Sequence, residues 1–199
     1  MVIEKKENLT IKDIHKQLEK LNRKDRIKYL KRVIGQKNAF PTEIGNMVYD
    51  LLISSYEKAG KFDSAAYVAK EGALQEELGG NRERANKLAV KASENYERAK
   101  DFGLAGYWAS RSGDKKRASE FYDKAELQRA LEHAREHANE GGFFYAAEIA
   151  AGVGARKESL EYARKAKKAG QKPEMVIEYI LNLLGRAKSA KSEIKGYHI

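Results

Sequence analysis

Apolar positions along this chain recur at helical spacing, and the recurrence divides it into helices. Ile11, Ile14, Leu18 and Leu21 share one face of a first helix over about 11–21, with Thr10 placed to cap it and Asp13 to complete a capping box. Ile27, Leu30, Val33 and Ile34 stripe a second over about 24–34, stopped by Gly35. A third starts at Pro41 and runs to about 59, with Gly60 as its stop, and a fourth covers about 62–78 before Gly79-Gly80. Asn81 caps a fifth to about 99, and Asp101 caps a short sixth ending near Ser112-Gly113. Asp114 opens a long seventh segment to about 139. Its apolar phase shifts between Ala125 and Leu127, which leaves a kink or break open there. Residues 143–151, 156–168 and 173–185 make three more, and 186–199 read as a frayed basic tail. No stretch shows a convincing strand pattern. The expectation is an all-α chain of about ten helices.

The pattern also repeats at long range. Tyr56, Ala59, Phe62, Ala65, Tyr67 and Ala69 return forty residues later as Tyr96, Ala99, Phe102, Ala105, Tyr107 and Ala109. Phe143, Ala146 and Ala150 follow Phe102, Ala105 and Ala109 by forty-one. A fixed period of this size predicts stacked helical hairpins, an α-solenoid in which each antiparallel pair buries its apolar face on its neighbours. Three segments result: a basic N-terminal hairpin over 1–40, repeats over 41–170, and an apolar capping helix with a basic tail over 171–199.

Residues 49–72 resemble a tetratricopeptide repeat. Tyr49, Leu52, Ile53, Tyr56, Gly60, Phe62, Ala65, Ala69 and Gly72 occupy that family's slots, and Ala89, Ala92, Ser93, Tyr96, Lys100, Phe102, Ala105, Ala109 and Ser112 fill them again. A further local match begins at Gly113-Asp114, with Ala118, Tyr122 and Ala125. The departures are a period of forty rather than about 34, Ile53 in a small-residue slot, and no proline closing each repeat. The resemblance implies a right-handed stack whose first helices line a groove for a peptide or helix of a partner protein. By position that groove is lined by Met47, Asp50, Ser54 and Glu57, then Lys87, Val90, Glu94 and Glu97, and more loosely Gln128, Leu131 and Arg135. It lacks the Lys, Asn and Arg set with which the family's chaperone-binding members clamp a terminal carboxylate. Being mostly acidic, it suits a basic or amphipathic peptide. The plainer alternative is a set of solvated helix faces.

Charge adds a second possibility. The formal net charge of +10 comes from the ends. Residues 1–40 carry +7, residues 155–199 carry +6, and the middle carries −3. Lys24, Lys28, Lys31 and Arg32 share much of one helix face and are candidates for phosphate contacts, giving salt-dependent nucleic-acid binding as the runner-up function. Only Tyr29 lies among them, so base stacking is not indicated.

Other chemistry is thin. The absence of cysteine removes disulfides, thiolate metal sites and thiol nucleophiles. The start of the chain has no apolar leader, and no apolar run reaches bilayer length, which predicts a cytoplasmic protein with no membrane partner. No Gly-rich phosphate loop or nucleophile elbow occurs, so no cofactor and no enzymatic activity are expected. His133 and His137, with Glu136 between them, make an H-x-x-E-H pattern able to hold a metal on one helix face, but a third ligand is missing from the sequence. Met175, Val176, Tyr179, Ile180, Leu183 and Leu184 make a broad apolar stripe on the last helix. It serves either as a capping face or as a homodimer or partner interface.

Overall fold

One turn recurs down the chain. At Gly60, Gly80, Gly113, Gly141, Gly154 and Gly170 the backbone has positive φ, and at Lys100 a non-glycine residue takes φ 65° in the same role. Just beyond each, an amide returns to a carbonyl of the last helical turn, as from Lys61 to Tyr56, Asn81 to Glu76 and Asp101 to Tyr96. This is the left-handed helix stop, in which a residue without Cβ costs least. After every stop but Gly170 the next helix begins within two residues, so those connected helices run antiparallel.

The structure, a computed structural model, describes residues 10–35, 42–171 and 176–196. It is all-helical, with no strand among the described residues. The helices are α1 (Ile11–Glu19), α2 (Arg23–Gly35), α3 (Thr42–Lys58), α4 (Phe62–Leu78), α5 (Arg82–Arg98), α6 (Phe102–Arg111), α7 (Lys115–Asn139), α8 (Phe143–Gly152), α9 (Arg156–Lys168) and α10 (Val176–Gly196). The caps are local and follow the sequence. Thr10 and Asp13 close a capping box on α1, and Asn81, Asp101 and Asp114 each accept the amide three residues on. Pro41 and Pro173, expected in first turns, lie outside the described residues.

One question left open is answered, and one expectation is corrected. α7 is one uninterrupted helix, and its change of apolar phase reflects burial on different sides along its length: Ala118, Phe121 and Ala125 are buried, then Ala134. The tail expected to fray from residue 186 continues α10 to Gly196. Ala, Lys and Arg dominate that stretch and no proline interrupts it, while Gly185 alone costs a helix only about 1 kcal/mol.

The chain divides into two compact units, 1–122 and 123–199, with the boundary inside α7. In the first, α2 packs on α3, α3 on α4, α4 on α5 and α5 on α6, the sequential stacking of an α-solenoid. Ile14, Leu18, Leu30, Val33, Val48, Leu52, Tyr56, Tyr96, Trp108 and Phe121 form a continuous core with interleaved buried alanines. Each large side chain there contributes roughly 1.5–3 kcal/mol of burial. Small residues set the spacing. A Cβ at Gly72 would sit 3.1 Å from Leu88 Cδ1, and one at Gly106 would sit 2.9 Å from the Tyr122 ring. In the second unit α8, α9 and α10 pack mutually around Ala147, Ala151, Ala163, Ala166, Ile180 and Leu184. No helix of the described residues is long and apolar enough to cross a membrane.

Candidate functional site

The groove residues expected on α3 and α5 are brought together, but their acids already have partners. Arg84 donates to Asp50 at 3.0 Å and to the Asn46 carbonyl at 2.8 Å, and its Nε lies 3.6 Å from the nearly buried Glu76. Glu57 accepts from the buried Asn95 amide at 2.8 Å. Glu97 accepts from Arg117 at 3.0 Å, and Glu94 lies 3.7 Å from Lys91 and 3.9 Å from Arg117. Lys87 bonds Glu83 at 2.6 Å, and that bond holds the Glu83 carboxyl below its usual range. Met47 is half-buried against the core, while Val90 is exposed. Ser54 lines a shallow hollow of about 250 Å³ shared with α1 and α2. Most of the carboxylates on this face therefore join one hairpin to the next. In the second unit Gln128 bonds Glu132 at 3.0 Å, Leu131 is half-buried and Arg135 exposed.

A larger concavity, of about 570 Å³, lies among α2, α3 and α4. Tyr49, Leu52, Tyr56 and Val68 make its apolar lining. Lys31, Asp63, Tyr67 and Glu71 add polar and charged groups, with Lys31 5.7 Å from the centre of the Tyr56 ring. Tyr67 is exposed beneath Lys70, 4.3 Å away. Burial raises the Tyr49 phenol above its ordinary value, and Glu71 and Glu76 add to the effect. One repeat later the same position holds about 340 Å³ among α4, α5 and α6. There Trp108 stands in the slot of Val68, and Arg111, paired with Glu77 and bonded to the Tyr107 hydroxyl at 3.2 Å, in that of Glu71. The concavity was not foreseen from the groove positions. The sequence carries no plain signal for it, because the shared slots change in opposite senses across the forty-residue period: Val68 becomes Trp108 while Tyr49 becomes Ala89.

The remaining candidates separate. On α2, Lys24 and Lys28 are exposed, Lys31 turns toward the concavity, and Arg32 has an interaction of its own. On α10, Ile180 and Leu184 are buried in their unit's core and Leu183 packs against it. Tyr179 is exposed and stacks on Phe144 with ring centres 6.0 Å apart; a bond with Glu148 raises its phenol above the ordinary value. Met175 lies outside the described residues, and Val176 is the first residue of α10. On α7, His133 and His137 bring their Nε2 atoms to 3.1 Å, and the Tyr145 ring stands edge-on to His137. Among the described residues no group of three or more His, Cys, Asp or Glu side chains is placed to hold a metal ion. Compared with protein-family models, with curated proteins and with solved structures, the chain matches none.

Proposed function

We propose that this chain is a cytoplasmic, non-enzymatic scaffold of tetratricopeptide-like hairpins that binds a peptide or helix of a partner protein. The observation that carries the reading is the concavity among α2, α3 and α4, with its apolar lining of Tyr49, Leu52, Tyr56 and Val68 and its charged Lys31, Asp63 and Glu71. Such a surface suits an amphipathic segment with one aromatic or aliphatic anchor, with orientation set by the charges. The wholly basic ligand suggested by an acidic groove is less favoured, because Asp50, Glu94 and Glu97 are paired with arginine.

Affinity capture from nuclease-treated lysate tests this. Proteins retained by the native chain and lost from a Ser64→Arg, Tyr67→Ala variant are the expected result, since Ser64 and Tyr67 line the concavity. Equal retention by that variant moves the site elsewhere. Loss of every partner on nuclease treatment favours the exposed lysines of α2, Lys24 and Lys28, and a nucleic-acid function.

A further inference from the structure

We infer that His133 and His137 form a two-histidine chelate for a divalent transition-metal ion, Cu²⁺ foremost. The inference stands apart from the peptide reading and rests on the geometry at the end of α7. The two residues are one helical turn apart, and their Nε2 atoms converge to 3.1 Å. Their ring centres lie 4.6 Å apart, and Tyr145 packs edge-on to His137, also at 4.6 Å, which restricts that ring. With metal–nitrogen bonds of about 2.0–2.1 Å, this separation subtends an angle of about 95–102° at the ion. That range suits tetragonal Cu²⁺ and Ni²⁺ and a slightly compressed tetrahedral Zn²⁺ alike, and Cu²⁺ comes first because it heads the affinity order for nitrogen ligands.

Proton placement is consistent. Without an ion, the contact is one N–H···N hydrogen bond, with Nε2 of one ring donating to the other. With an ion, both rings take the Nδ1–H tautomer and both Nε2 lone pairs face the metal. Neighbouring charge is mixed: Glu132 and Glu136 lie within a turn of the pair on α7 and Glu140 just past its end, against Arg129 and Arg135. No third protein ligand stands ready among the described residues, so water completes the coordination. The chelate spans a turn near the C-terminal end of α7, ahead of the Gly141 stop, and ties that turn together.

Titration of the full chain with Cu²⁺ alone, in a non-coordinating buffer, tests the site by calorimetry and electron paramagnetic resonance. One equivalent is expected, with hyperfine structure from two imidazole nitrogens. His133→Ala and His137→Ala each weaken binding at least about tenfold, because a chelate loses its second, effectively intramolecular ligand. The double variant loses the site, and His15→Ala leaves it intact. Absence of binding by the native chain, a one-nitrogen spectrum, or an undiminished equivalent in the double variant overturns the inference. Alanine suits exposed helix positions, and circular dichroism of each variant verifies that the helices remain.

Discussion

Lys100 is the residue at which one local rule is broken. It holds φ 65° at a helix stop where the corresponding turns use glycine. Lys100→Gly removes the clash between Cβ and the backbone, offset in part by greater freedom of the unfolded chain. The expected gain is about 0.5–1 kcal/mol, read as a rise of about 1–4 °C in thermal unfolding. Gly60→Ala, at the equivalent stop forty residues earlier, should lower it. A second residue-scale effect comes from Tyr49 and Tyr96, whose phenols are raised above 10.0 chiefly by burial, with Glu71 and Glu76 acting on the first and Asp101 and Asp63 on the second. A raised folded value means that the folded state keeps its proton longer. The associated stability is whole below the ordinary value and is lost as pH rises through the folded values. Denaturation midpoints should therefore fall above about pH 10, and fall less in a Tyr49→Phe, Tyr96→Phe variant. The caps at Thr10, Asn81, Asp101 and Asp114 were legible in the sequence because each acts within three residues. The pairing of Arg84 and Arg117 was not, since Asp50 and Glu97 lie 34 and 20 residues away and leave no periodic trace.

Between elements, Arg84 is the most connected side chain of the α3–α5 face. From the first turn of α5 it reaches Asn46 and Asp50 on α3 and Glu76 on α4. Arg84→Ala leaves Glu76 nearly buried without its cation and frees the Asn46 carbonyl, which should cost about 1–3 kcal/mol in denaturant unfolding. Lys87→Ala, which removes an exposed pair with Glu83 on the same helix, should leave unfolding unchanged. Helix number, type and most boundaries followed from apolar spacing and turn glycines, because both signals lie within a few residues. The continuity of α7 did not follow. A phase change reads as a break when one partner surface is assumed for the whole helix.

For the whole molecule, the forty-residue repeat made the all-helical stacking visible before any coordinates, because each hairpin must fill the same slots to bury its neighbour. Which surface stays open was hidden in size differences that run both ways, Val68 against Trp108 and Tyr49 against Ala89, pairs that repeat matching treats as equivalent. The arginine-matched carboxylates of α3 and α5 have a further effect, on kinetics. A face whose charges cancel at short range projects little field beyond a Debye length, so it does not draw a cationic ligand from solution. Binding there should proceed at an unsteered rate of roughly 10⁵–10⁶ M⁻¹s⁻¹. Stopped-flow association of a cationic probe peptide with this face should change little between about 0.02 M and 0.5 M salt. A tenfold or greater slowing would mean that the probe displaces Arg84 or Arg117 and meets the carboxylates itself.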